Sequence, residues 1–155
     1  MFEHDGTLDK YLGDGVMATF GTPESSPDDA GNALAAARAM LRSIDAWNRE
    51  RAARGDPPIR LSIGIHYGAV VLGDVGSARR LEYAVIGDVV NVASRLEELT
   101  RELDSPLVVS DALISAVRAA GDRRAELAGL ERTAPHMLRG RTAAVALWVL
   151  RAPAA

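Results

Sequence analysis

The chain has 155 residues, 48% hydrophobic and 25% charged, enough for one domain with a sizeable core, expected over 1–151 with an alanine-rich tail at 152–155. A net charge of −3 disfavours a nucleic-acid footprint, and the absence of cysteine excludes a disulfide framework and thiolate chemistry. No run of about eighteen apolar residues suits a membrane span, and no cationic-then-apolar leader precedes Asp5, so the expectation is a soluble, cytoplasmic domain without a membrane segment.

In chain order, residues 7–12 and 16–20 are β-forming runs around Gly13-Asp14-Gly15, which predicts a hairpin with Asp14 at its tip. Ser26-Pro27-Asp28-Asp29 reads as a helix start with Ser26 as N-cap, and the helix is expected to run to about residue 54. Its stripe is Leu34, Ala37, Leu41 and Ile44, flanked by Met40 and Trp47, and Gly55-Asp56-Pro57-Pro58 ends it. Leu61, Ile63, Ile65 and Tyr67 alternate with smaller or polar residues, as in a strand with one buried face. Gly68 is expected to turn this strand into a second one at 69–75, making another hairpin. A strand at 81–86, a helix at 88–102 with Val89, Val92, Leu96 and Leu99 on one face, a strand at 107–109, a short helix at 111–119 and a closing strand at 144–150 complete the series. This alternation with hairpins predicts an α+β fold of ferredoxin-like order, a mixed or antiparallel sheet covered by helices.

Several side chains in this frame suit phosphate chemistry. Asn91 and Arg95 lie four apart on the second long helix, so both can reach one ligand. A guanidinium fork fits phosphate and a carboxamide fits a sugar oxygen, although polar pairs at this spacing are more commonly a solvated helix face. Asp14 between two glycines suits a hard divalent cation, yet an Asp-Gly turn is also an ordinary hairpin closure. Lys10 is the only lysine; the other seventeen basic residues are arginine. It stands near the end of its strand, where a compact ammonium could donate to a base. His66 is read as structural, and Gly73-Asp74-Val75-Gly76 lacks the spacing of a P-loop. Arg139 and Arg141 flank Gly140, an arrangement that suits either a polyphosphate cradle or a plain turn.

Three segments, Lys10-Tyr-Leu-Gly-Asp14-Gly-Val-Met-Ala, Ile63-Gly-Ile-His-Tyr-Gly-Ala-Val and Tyr83-Ala-Val-Ile-Gly-Asp-Val-Val-Asn91-Val-Ala-Ser-Arg95, resemble in order the motifs of class III nucleotidyl cyclase catalytic domains. The resemblance implies conversion of ATP, or less readily GTP, to the 3′,5′-cyclic nucleotide and pyrophosphate with two Mg²⁺ or Mn²⁺ ions at a head-to-tail homodimer interface. It implies further that Asp14 holds metal, Lys10 reads the base, Asn91 orients the ribose and Arg95 stabilises the transition state, with Arg141 and Arg79 as phosphate contacts. Lys10 and Asp14 of one chain would then face Asn91 and Arg95 of the other.

Two departures qualify this. The family's other metal aspartate lies on a strand ahead of the hairpin, where this sequence begins, and Asp5 is too near the hairpin to replace it, so turnover by this chain alone is expected to be impaired. Ala84 stands where adenylate cyclases of the family carry a residue that pairs with the adenine amino group, and alanine has no donor or acceptor. The expected activity is that of an adenylate cyclase. The alternative is a catalytically silent cyclase-homology module that binds nucleotide or a partner for regulation.

Overall fold

A computed structural model describes the backbone of residues 1–77, 80–121, 124–140 and 143–151, and their side chains except at 74–77, 80–84 and 124. After a 3₁₀ turn at Phe2–His4 come β1 (Gly6–Leu12) and β2 (Gly15–Phe20), an antiparallel hairpin closed by Gly13 and Asp14. Gly13 has φ +66°, a conformation that glycine adopts without steric cost.

Helix α1 (Asp29–Ala53) starts later than the sequence predicts. Ser26 is not its N-cap: its hydroxyl accepts from Asp28 N at 3.1 Å, and its own N–H donates to Asp29 Oδ2 at 2.6 Å. The serine and aspartate satisfy each other in the approach turn, so the first helical residue shifts to Asp29. Only the front of α1 is deeply buried, at Ala30, Ala33, Leu34, Ala36 and Ala37, while Trp47 stays exposed under the cation of Arg51. Arg38 donates to the carbonyls of Glu126 and Ala128, tying α1 to residues 126–128. Burial and the nearby Arg42 lower its pKa, and Glu126 partly opposes them.

Strand β3 is short, Ile63–Ile65, and Tyr67 lies outside it. It does not form a hairpin with the next strand. β4 (Val71–Ser77) pairs with β5 (Arg80–Ile86) as a separate antiparallel ribbon, and β3 instead pairs in parallel with a distant strand. The segment 66–70 leaves the sheet rather than reversing within it, a choice set by tertiary pairing that local alternation does not encode.

Helix α2 (Asp88–Glu102) and strand β6 (Leu107–Ser110) precede α3 (Asp111–Ala119), the short α4 (Arg124–Leu127), β7 (Leu130–Arg132) and β8 (Leu147–Leu150). The main sheet has order β3-β6-β8-β7, with β3 parallel to β6 and the other pairings antiparallel. β6 is buried on both faces. Leu107 and Val109 pack with Leu34, Leu113, Ile114 and Val117 from α1 and α3, whereas Val108 packs with Val92 and Leu96 from α2. The alternation of a strand thus separates two cores, one on each side of the sheet. The architecture is mixed α+β, with helices covering both faces of the main sheet. Among the described residues no helix is long and apolar enough to cross a membrane.

One close approach sets where α2 lies on the sheet. A Cβ on Gly64 would collide with the α2 backbone at Ala93 and Glu97, so only glycine allows the helix to rest directly on β3. Two residues on, just past the end of β3, His66 Nδ1 lies 2.8 Å from Ser110 Oγ. That buried hydroxyl also accepts from Leu113 N as the N-cap of α3. His66 is therefore part of the scaffold.

Candidate active site

Helix α2 begins after Gly87 and keeps Val92 and Leu96 fully buried, which turns Asn91 outward and leaves Arg95 at the margin of the core. Helical spacing places the two on one face, one turn apart. Neither side chain makes a hydrogen bond or ion pair within the described residues.

The Arg95 guanidinium has a seat nonetheless. Leu138 is buried against Val92 and Leu96, and His136 and Val145 exchange backbone hydrogen bonds of 2.9 and 2.8 Å that close the base of the intervening loop. This brings Gly140, at φ +78°, beneath Arg95: a Cβ there would sit 3.5 Å from Nη1 and 3.6 Å from Nη2. The arginine is thus backed by bare backbone, with its donors free for an anion. Arg139, next to Gly140 in the same loop, is exposed.

Lys10 and Asp14 belong to a different part of the molecule. They lie on the β1–β2 hairpin, which packs on α1, whereas α2 packs on β3 and β6. Asp14 is exposed in the turn, and no atom lies within 4 Å of a Cβ placed on Gly13, so its carboxylate is open to a large ligand. It fits as one ligand of a divalent ion whose other ligands are phosphate oxygens and water. Among the described residues no group of three or more His, Cys, Asp or Glu side chains could hold a metal. Lys10 is exposed and lies 3.3 Å from Asp9, on its own strand. A cleft of about 350 Å³ at Asp5, Gly21, Glu24, Asp29 and Asn32 involves none of these four residues.

Ala84 lies on β5 opposite Gly73 of β4, with its side chain outside the described residues. Arg79 and Arg141 also lie outside them. Sequence reasoning missed two contacts: that of Asp9 with Lys10, which depends on a strand irregularity without a sequence signature, and that of Gly140 with Arg95. For Gly140 a signal existed, since a glycine between two arginines after a buried leucine suggests a turn requiring positive φ.

The profile of the family described as "Adenylate and Guanylate cyclase catalytic domain" matches residues 3–147. The chain is 41% identical over 119 residues to an adenylate cyclase of Anabaena cylindrica, covering 72% of this chain and 22% of that protein. It is 38% identical over 112 residues to adenylate cyclase 1 of Rhizobium meliloti, covering 72% of this chain and 17% of that one. The chain thus corresponds to about a fifth of the length of these relatives. Among solved structures, the guanylyl cyclase Cya2 superposes with TM-score 0.77 at 29% identity, over 96% of this chain and 71% of that one. The adenylyl cyclase CyaB from P. aeruginosa shares the fold with TM-score 0.80 at 24% identity, over 99% of this chain and 75% of that one. With three motifs in order, a family profile over nearly its whole length and the same fold, the chain belongs to the adenylate and guanylate cyclase catalytic-domain family.

Proposed function

We propose that this domain is the catalytic part of an adenylate cyclase that works as a homodimer, with Asn91 and Arg95 of one chain facing Lys10 and Asp14 of another. The observation that carries the reading is Arg95: a half-buried guanidinium, seated against Gly140, without a carboxylate or carbonyl partner among the described residues. A cation fixed in place but unneutralised suits charge that develops on a phosphate.

In the proposed reaction the ribose 3′-hydroxyl gives up its proton to water and its oxygen bonds to the α-phosphorus as the bond from that phosphorus to the pyrophosphate oxygen breaks. Arg95 donates to the phosphoryl oxygens as their charge grows, and Asn91, one turn away, holds the ribose so that its 3′-oxygen meets the phosphorus. Lys10 donates to a ring acceptor of the base. Arg141 and Arg79 contact the departing phosphates, and Ala84 leaves space beside the base without a polar contact. Asp14 would hold a Mg²⁺ or Mn²⁺ ion, which when bound neutralises phosphate charge.

Dimerisation is supported by large apolar side chains exposed on both hairpins. These are Tyr11, Leu12 and Val16 near the first tip and the paired Val71 and Ile86 at the base of the second. The preference for ATP is supported by Lys10 and by the adenylate cyclases among the relatives.

The test is cyclic-nucleotide formation from ATP or GTP with Mn²⁺, together with nucleotide binding. Only weak formation of cyclic AMP is expected from this chain alone, in excess of cyclic GMP and lowered further in Arg95→Ala; a preference for GTP would refute the assignment. One candidate metal carboxylate and Ala84 favour a second reading, a module that binds nucleotide for regulation. Saturable ATP binding with no cyclic product from the dimeric chain would select it.

A further inference from the structure

Strand β1 contains one residue more than its partner can match. Gly6, Thr7 and Leu8 pair with Phe20, Thr19 and Ala18, but Lys10 pairs with Met17, so Asp9 is the residue left over in a bulge. In a regular strand consecutive side chains point to opposite faces, which would hold the Asp9 carboxylate and the Lys10 ammonium apart. Here Lys10 Nζ lies 3.3 Å from Asp9 Oδ2. The two ends of the pair differ in exposure, Asp9 at 7% and Lys10 at 44% of the side chain. Asp9 Oδ2 has no aligned hydrogen-bond donor, so the ammonium meets it as a charge contact. A buried carboxylate needs such compensation.

We propose that Asp9 is a positioning residue: from the bulge it anchors the Lys10 ammonium so that its remaining N–H donors face a purine base. The proposal rests on the reading of Lys10 as the base contact. An ammonium carries three donors, so engagement with one carboxylate leaves two for ligand. A lysine on a free stem loses much rotamer freedom when a ligand orders it, and a prior anchor removes part of that loss. With alanine at position 84, more of the base discrimination falls on how Lys10 is aimed.

Because Lys10 is the only lysine, a chain labelled with ¹³C at the lysine ε-carbon gives a single signal that reports on this side chain. In Asp9→Asn at neutral pH that signal is expected to narrow and move to the position of an unrestrained lysine. ATP should still shift it, with affinity weakened by about 2- to 5-fold, the scale of a partly exposed ion pair. Asp9→Glu, which keeps the charge, should restore part of the affinity. An unchanged Lys10 signal in Asp9→Asn, or a changed signal with unchanged ATP affinity, would overturn the positioning role. A parent-chain signal unmoved by ATP and by GTP would instead overturn the base-contact reading, and the positioning role with it. Thermal unfolding supplies a readout without nucleotide: Lys10→Gln should lower Tm by leaving the carboxylate uncompensated, and Asp9→Asn with Lys10→Gln should recover it. Additive effects of the two substitutions would overturn the pairing.

Discussion

The two parts that carry the candidate site are built in opposite ways. Helix α2 holds Asn91 and Arg95 above Val92 and Leu96, both fully buried, and rests on β3 through Gly64. The β1–β2 hairpin holds Lys10 on a strand and Asp14 in the turn, on an outer half that is exposed, with Tyr11, Leu12 and Val16 facing solvent. On the helix a functional side chain is aimed by the core beneath it. On the hairpin it is aimed locally, by a two-residue turn and a bulge, and its apolar neighbours are left for a second surface. In the proposed site the group that would meet the phosphate sits on the first kind of element, and the groups that would complete the site across an interface sit on the second.

The sharpest way to break this contrast is at Arg95. Arg95→Ala should reduce cyclic-nucleotide formation by about 10²- to 10³-fold, the loss typical of a charge-stabilising donor. Its urea midpoint should stay close to that of the parent, because the guanidinium makes no hydrogen bond within the described residues. Gly64→Ala tests the scaffold instead, and forcing α2 off β3 should cost about 3 kcal/mol in denaturant unfolding, at the upper end for overpacking. Equal unfolding midpoints for this variant and the parent would mean that α2 is not held by that contact.

Gly140→Val probes the seat alone. A β-branched residue at φ +78° is strained by about 1–2 kcal/mol, and its side chain would push on the guanidinium, so activity should fall while ATP binding through Lys10 persists. Ser110→Ala, which removes the N-cap of α3 and the partner of His66, should destabilise by about 1–2 kcal/mol with little effect on catalysis per folded molecule. The smallest effect belongs to the hairpin: Tyr11→Ala should change monomer stability by less than about 0.5 kcal/mol. It should nevertheless weaken self-association in sedimentation, since an exposed aromatic contributes little until a partner covers it.

Legibility in the sequence followed the same division. The second long helix was readable to the residue, Asp88–Glu102, because Val92, Leu96 and Leu99 repeat at helical spacing and Gly87 precedes it. The first hairpin was readable from its glycines. The strand beginning near Leu61 was not: its alternation predicted a hairpin with residues 69–75, whereas Ile63–Ile65 lies parallel to β6, more than forty residues on. Periodicity reports which side chains share a face, not which strand accepts their hydrogen bonds. β7 and α4 went unread because each is three or four residues long, too short for a period.

By itself, then, the sequence determined the element types, the helix face that carries Asn91 and Arg95, the turn that presents Asp14 and the family, since these depend on local spacing and on side-chain identity. Tertiary structure decided the sheet order, the seat of Arg95 against Gly140 and the pairing of Asp9 with Lys10. Each of these joins backbone or side chains whose relation depends on register, on close approach or on one unmatched residue in a strand, and no local pattern records them.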